Sequence, residues 1–189
     1  MSKDIEEQIA QLEEQASQAY DQQQYAQVTA LATQVYHLIR LSGEAHASFA
    51  DTLNNLASLC EEIGDYAVTA HLYEQVVEIT RMLLGEEHSD TAQGLNHLGR
   101  LHYMRGDYAE AESLFRRALE IRRAALGEAH PDVAQSLNNL AVLSYTKGNY
   151  IEAESLYQQA LGISRTIFGE EHPGLASERR WGMSPRRSQ

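Results

Sequence analysis

The feature that most constrains this chain is a period of 42 residues held without slippage. The tetrads Gly43-Glu-Ala-His46, Gly85-Glu-Glu-His88, Gly127-Glu-Ala-His130 and Gly169-Glu-Glu-His172 recur at that interval. So do Gly64-Asp65-Tyr66, Gly106-Asp107-Tyr108 and Gly148-Asn149-Tyr150, and so do Leu53-Asn-Asn-Leu56-Ala57, Leu95-Asn-His-Leu98-Gly99 and Leu137-Asn-Asn-Leu140-Ala141. Three motifs in one phase define a repeat array, in which each unit buries its apolar face only by stacking on its neighbours.

Each unit reads as two helices. The first spans roughly 48–62, 90–104 and 132–146, with Leu137, Leu140, Ala141 and Leu143 at helical spacing. It stops at glycine, which tolerates the left-handed geometry past a helix end. Asp65, Asp107 or Asn149 then offers an N-cap, and Glu110 and Glu152 stand at capping-box distance. The second helix carries an apolar stripe such as Ala111, Leu114, Phe115, Ala118 and Leu119. Pro131 and Pro173 fall where a first helical turn accepts proline. Ala57, Gly99 and Ala141 mark close helix approach, and Tyr73, Phe115 and Tyr157 read as core wedges between helices. The tetrad histidines are expected to cap or pack the turns between repeats.

The expected organisation is a degenerate capping repeat over 1–42, repeats over 43–84, 85–126 and 127–168, and a partial repeat with a basic irregular tail over 169–189. The first unit is one residue short between Tyr25 and Gly43. After Ala176 the register fails, and Arg179, Arg180, Arg186 and Arg187 crowd the tail. An open C-terminal end is expected to favour self-association.

Composition narrows the function. Residues 1–90 carry sixteen acidic residues against three basic ones, residues 91–189 eleven against twelve. An acidic first half cannot neutralise a phosphate backbone, so no nucleic acid is expected. No apolar run is long enough to cross a membrane, and the acidic N-terminus is not a secretory signal. With one cysteine, Cys60, no internal disulfide can form, and the cytoplasm is the expected compartment. Cys60 reads as a small core residue. No phosphate loop or zinc-type Cys/His spacing is present, and one histidine per repeat is too widely spaced to share a metal. Neither an enzyme nor a cofactor is expected.

Gly-Asp-Tyr-Ala-Glu-Ala-Glu, followed by an aromatic and Arg-Arg-Ala-Leu-Glu-Ile, resembles the tetratricopeptide repeat. The 42-residue period with Leu-Gly-Glu-x-His-Pro and Leu-Asn-Asn-Leu-Ala resembles the longer variant of kinesin light chains and bacterial multi-repeat proteins, over about 43–176. The resemblance implies an all-α, right-handed superhelix whose first helices line a concave groove, and a non-catalytic module that binds a protein or peptide there.

Asparagine is a weak helix former, yet Asn54, Asn55, Asn96, Asn138 and Asn139 sit inside first helices. Its carboxamide both donates and accepts, which suits the backbone of an extended peptide. Kinesin light chain repeats use such a ladder, so by resemblance these five, with Arg100 and Tyr103, are the candidate peptide contacts. Ties between adjacent repeats are the other role open to these asparagines. The basic residues of a carboxylate clamp are missing: Asp51, Ser58, Gln93, Gln135 and Val142 occupy those positions, and Arg100 alone is basic. Glu13, Glu14, Asp51, Glu61 and Glu62 make the early groove acidic. A basic or neutral ligand segment is therefore expected.

Overall fold

A computed structural model describes residues 2–42 and 47–168. The first tetrad's Glu44 and His46, Pro173, the last tetrad and the tail lie outside the described residues. Among the described residues eight helices follow one another: α1 (Ser2–Asp21), α2 (Tyr25–Ser42), α3 (Ala47–Ile63), α4 (Tyr66–Leu84), α5 (Ser89–Arg105), α6 (Tyr108–Leu126), α7 (Pro131–Thr146) and α8 (Tyr150–Phe168). They form an all-α solenoid. Each first helix packs on the second helix of its own unit, and each unit on the next through α2–α3, α4–α5 and α6–α7. The expected first helices agree with α3, α5 and α7 to within a residue at either end.

The local chemistry sets these boundaries. Gly106 ends α5 in the left-handed conformation, φ 84°, and its N–H donates to the His102 and Tyr103 carbonyls. Gln23 holds the corresponding place between α1 and α2 at φ 59°, where a Cβ is strained. The shortened first unit thus keeps the turn without the residue that suits it. His88 and His130 are N-caps: each Nδ1 accepts from the backbone N–H two residues on, Asp90 and Asp132, at 3.2 Å. Pro131 opens α7 as expected.

One cap differs from the sequence reading. Asp65 accepts from the Val68 N–H at 3.3 Å, but Asp107 makes no side-chain cap bond. Its carboxylate turns to His102 Nδ1 and Arg105 Nε, 3.5 Å and 3.7 Å away, because basic side chains in the last turn of α5 compete for it. Repeat two has Cys60 and Ile63 at those positions and leaves Asp65 free to cap.

The core runs the length of the array. Leu53, Leu56, Leu72, Ile79, Leu101, Ile121, Leu137 and Leu143 are fully buried, each contributing roughly 1.5–3 kcal/mol of transfer free energy. Ala57 and Ala141 are wholly buried, and a Cβ built on Gly99 would meet the Phe115 ring at 2.7 Å. Tyr73 and Phe115 are 1% and 2% exposed, as wedges should be. Tyr157, the third of that series, is 41% exposed, because among the described residues no helix lies over α8. Burial pushes the Cys60 thiol up to about 12, which makes it an inert core group.

Candidate functional site: the first-helix face

Each first helix presents one stripe at i, i+4, i+7 spacing: Asn54, Ser58 and Glu61 on α3; Asn96, Arg100 and Tyr103 on α5; Asn138, Val142 and Tyr145 on α7. Residues 55, 97 and 139 stand one step round the helix and look back towards the preceding unit. Asn55 Nδ2 donates to Glu13 Oε1 at 2.7 Å, and Thr52 Oγ1 to Glu13 Oε2 at 2.7 Å. Asn139 Nδ2 donates to Asn96 Oδ1 at 3.0 Å. These are rungs of one ladder, joining successive units.

The middle rung is broken. His97 takes the place of Asn55 and Asn139, and its ring lies against Tyr73, centroids 4.6 Å apart and planes at 78°. The Asn54 Oδ1 and the His97 Nδ1 are both buried without a partner. Burial first, then the charges of Arg100 and Arg122, bring the imidazole down to about 4, so it is neutral at pH 7.

The expected peptide contacts therefore separate. Asn96 is 2% exposed and half-buried Asn139 is bound to it, so the structure gives these two to each other. Asn55 is exposed but holds Glu13, and Arg100 is exposed but paired with Glu61. Half-buried Tyr103 shares a hydrogen bond with Thr146 at 3.0 Å. Asn54 is half-buried, and Asn138 is exposed with no side-chain bond among the described residues. Beside Asn138, Val142 and Tyr145 are 39% and 61% exposed, and Tyr145 meets Tyr150 edge-on at 5.2 Å. A Tyr-x4-Tyr spacing recurs at Tyr20–Tyr25, Tyr103–Tyr108 and Tyr145–Tyr150, each pair folded across its turn. That recurrence was a usable sequence signal.

The acidic character of the early groove is partly consumed. Glu13 holds Thr52 and Asn55, Glu61 holds Arg100 and the Tyr73 hydroxyl, and Glu62 takes the Tyr20 hydroxyl. Among the described residues Asp51 has no partner, and the Asp90 carboxylate meets only His88 and Ser89, at 3.5–3.6 Å. No group of three or more His, Cys, Asp or Glu residues is placed to hold a metal among the described residues. None of the described helices is long and apolar enough to cross a membrane.

A search of curated proteins finds no significant match. Solved structures share the fold. BtubC (BKLC) from P. vanneervenii aligns at a TM-score of 0.63 and 24% identity, over 92% of this chain and 79% of that one. The nearly identical TPR-like repeats of a candidate kinesin light chain from Podosopora anserina align at 0.66 and 23%, over 92% and 83%. The family model for the tetratricopeptide repeat matches residues 48–124, 95–166 and 132–177. With helix pairs, capped turns and family match in one register over most of its length, the chain belongs to the tetratricopeptide repeat family.

Proposed function

We propose that this chain is a non-catalytic binding module that holds an extended segment of a partner protein along the concave face of its first helices. Tetratricopeptide repeats in general mediate protein–protein interaction. The observation that carries the reading for this chain is the α7 stripe. Asn138, Val142 and Tyr145 lie on one helix face and stay open to solvent, whereas the neighbouring polar residues are spent on ties between repeats. Tyr145 offers a rigid apolar surface with a polar tip, and Asn138 a donor and an acceptor for a peptide backbone. Arg100 and Asn55 join this face at the cost of their bonds to Glu61 and Glu13. Asn96 and Asn139 act as a structural rung.

A peptide-display selection on the whole protein tests this. Selected peptides should lose at least ten-fold in affinity against Asn138→Ala with Tyr145→Ala, with the melting temperature held within 2 °C. Asn96→Ala should instead lower stability by about 1–2 kcal/mol, because it leaves the Asn139 amide unpaired. Peptides that bind the double variant as tightly as the parent would sink the groove reading.

A second reading has its own observation. Tyr157 is 41% exposed where its counterparts Tyr73 and Phe115 are closed over, which leaves a wedge position on α8 for a second copy of this chain. Self-association would make the module an assembly scaffold. Sedimentation velocity should show dimers that Tyr157→Ser disperses; a monomer at high concentration refutes it.

A further inference from the structure

Neighbouring junctions of the repeat can be compared position by position, and one difference between them accompanies a cleft. Arg122, on α6, is 3% exposed and reaches into the junction between α5 and α7. Its Nη1 donates to the Asp132 carbonyl at 3.0 Å, to Gln135 Oε1 at 3.1 Å and to Ser136 Oγ at 2.9 Å. One repeat earlier, Asp90 and Gln93 occupy the positions of Asp132 and Gln135, but Thr80 stands in place of Arg122. The Thr80 hydroxyl turns back to the Val76 carbonyl at 2.9 Å and reaches nothing on α5. Where the guanidinium would lie there is a cleft of about 210 Å3, lined by Asp51, Asn54, Thr80, Leu83, Asp90 and Gln93 among others.

The wall chemistry matches the missing group. Asp51 replaces a glutamine of the later repeats and has no partner among the described residues. Gln93, the counterpart of Gln135, is exposed and equally unclaimed. The Asn54 carboxamide makes no side-chain bond, so a half-turn that brings its oxygen towards the cleft breaks nothing. Leu83 and Leu84 are 42% and 45% exposed at the opening, which gives an alkyl stem an apolar track. A planar cation on an aliphatic arm satisfies all of these walls at once.

We propose that the cleft between α3, α4 and α5 is a receptor for an arginine side chain of the partner, which takes the place that Arg122 fills from within at the next junction. The proposal rests on the groove reading only in that the segment bearing the arginine runs over the first-helix face. It names that segment's class: basic, with arginine favoured over lysine because the acceptors are arrayed for a fork rather than a point charge.

An acetylated, amidated Gly-Arg-Gly tripeptide is the probe, titrated into the full 15N-labelled chain against Gly-Lys-Gly and Gly-norleucine-Gly. Saturable shifts should gather at the Gln93 side-chain amide and the backbone amides of 51, 54 and 90–93, several-fold stronger for arginine than for lysine and absent for norleucine. Thr80→Arg should plug the cleft as Arg122 does, abolish the shifts and raise the melting temperature by a few degrees. If that variant does not fold, Asp51→Asn with Asp90→Asn, both at exposed positions, should weaken binding at least ten-fold with the fold kept. Shifts spread over every acidic helix, or undiminished in these variants, would overturn the pocket. A long basic peptide that still binds Thr80→Arg through Asn138 and Tyr145 would overturn the pocket alone. Loss of the long peptide's dependence on those two residues would overturn the groove.

Discussion

The broken rung at His97 makes a prediction whose size follows from the structure. His97→Asn installs the residue that repeats two and four already carry. The imidazole titrates near 4 in the fold and near 6.5 in the unfolded chain. As the pH falls through about 6.5 the unfolded chain takes a proton that the fold refuses, so stability drains away from there down to about 4 and is constant below. Linkage across that gap amounts to about 3 kcal/mol in full, of which roughly 2 kcal/mol falls between pH 7 and pH 5. The charges facing the ring, Arg100 on its own helix and Arg122 from α6, are both positive and push the same way. At pH 7 the substitution removes an edge contact with Tyr73 worth about 0.5–1.5 kcal/mol and lets an amide reach the orphaned Asn54 Oδ1, worth about 1 kcal/mol. The two nearly cancel. The assay is urea denaturation followed by circular dichroism at pH 7, 6 and 5, with the parent and His97→Asn side by side. The variant should match the parent at pH 7 and exceed it by about 2 kcal/mol at pH 5, equivalent to roughly 4–8 °C in melting temperature for a chain of this length. Equal pH dependence in the two would refute a buried, neutral His97.

Other positions give separate tests. Gln23→Gly should stabilise the first unit by up to about 1 kcal/mol, read from the urea midpoint, because the φ of 59° costs an L-residue about 1–2 kcal/mol and glycine gives part of that back in unfolded-chain entropy. Gly99→Ala should destabilise by about 1–2 kcal/mol, since its Cβ would sit 2.7 Å from the Phe115 ring, and adding Phe115→Leu should recover most of the loss. Asp65→Ala should cost about 1 kcal/mol and Asp107→Ala little, because only the first caps its helix; thermal melts of the pair decide it.

The helices were legible because their determinants are local: apolar spacing, the glycine stops, the histidine before each first helix. The close approach at Gly99 was legible for the same reason, a small residue recurring in one register. The roles of the asparagines were not. Neighbouring helical positions differ by about 100°, so Asn138 and Asn139 differ only in which way the superhelix turns them, and that is set by packing between units. Asn96 is buried because Asn139 of the next unit reaches it, a contact with a sequence separation of 43. Asp107 failed as a cap through competitors, His102 and Arg105, that no capping pattern includes. Tyr157 is 41% exposed where Tyr73 and Phe115 are buried, because the burial of a second-helix aromatic depends on what packs over it and not on the residue itself.

What the fold leaves unused matters more here than what it repeats. At the junction of α5 with α7 the polar groups are claimed internally: Asn96 by Asn139, Gln135 and Ser136 by Arg122. At the junction of α3 and α4 with α5, apolar contact does that work. Gly94 replaces the serine, and a Cβ there would meet Val77 Cγ2 at 2.6 Å, so the Val77 side chain fills the space a serine would need. Tyr73 packs under His97 in place of a hydrogen-bonded rung. Burial of this kind stabilises the junction without naming a partner for Asn54, Asp51 or Gln93. A ligand's polar groups gain little from side chains that must first break internal bonds, and gain most where acceptors stand ready and unpaired. His97, where the flanking repeats carry asparagine, and Thr80, where the next repeat carries Arg122, both fall at that one junction. The same substitutions that take polar ties out of the fold leave them available there, in the half of the chain where the net charge is negative.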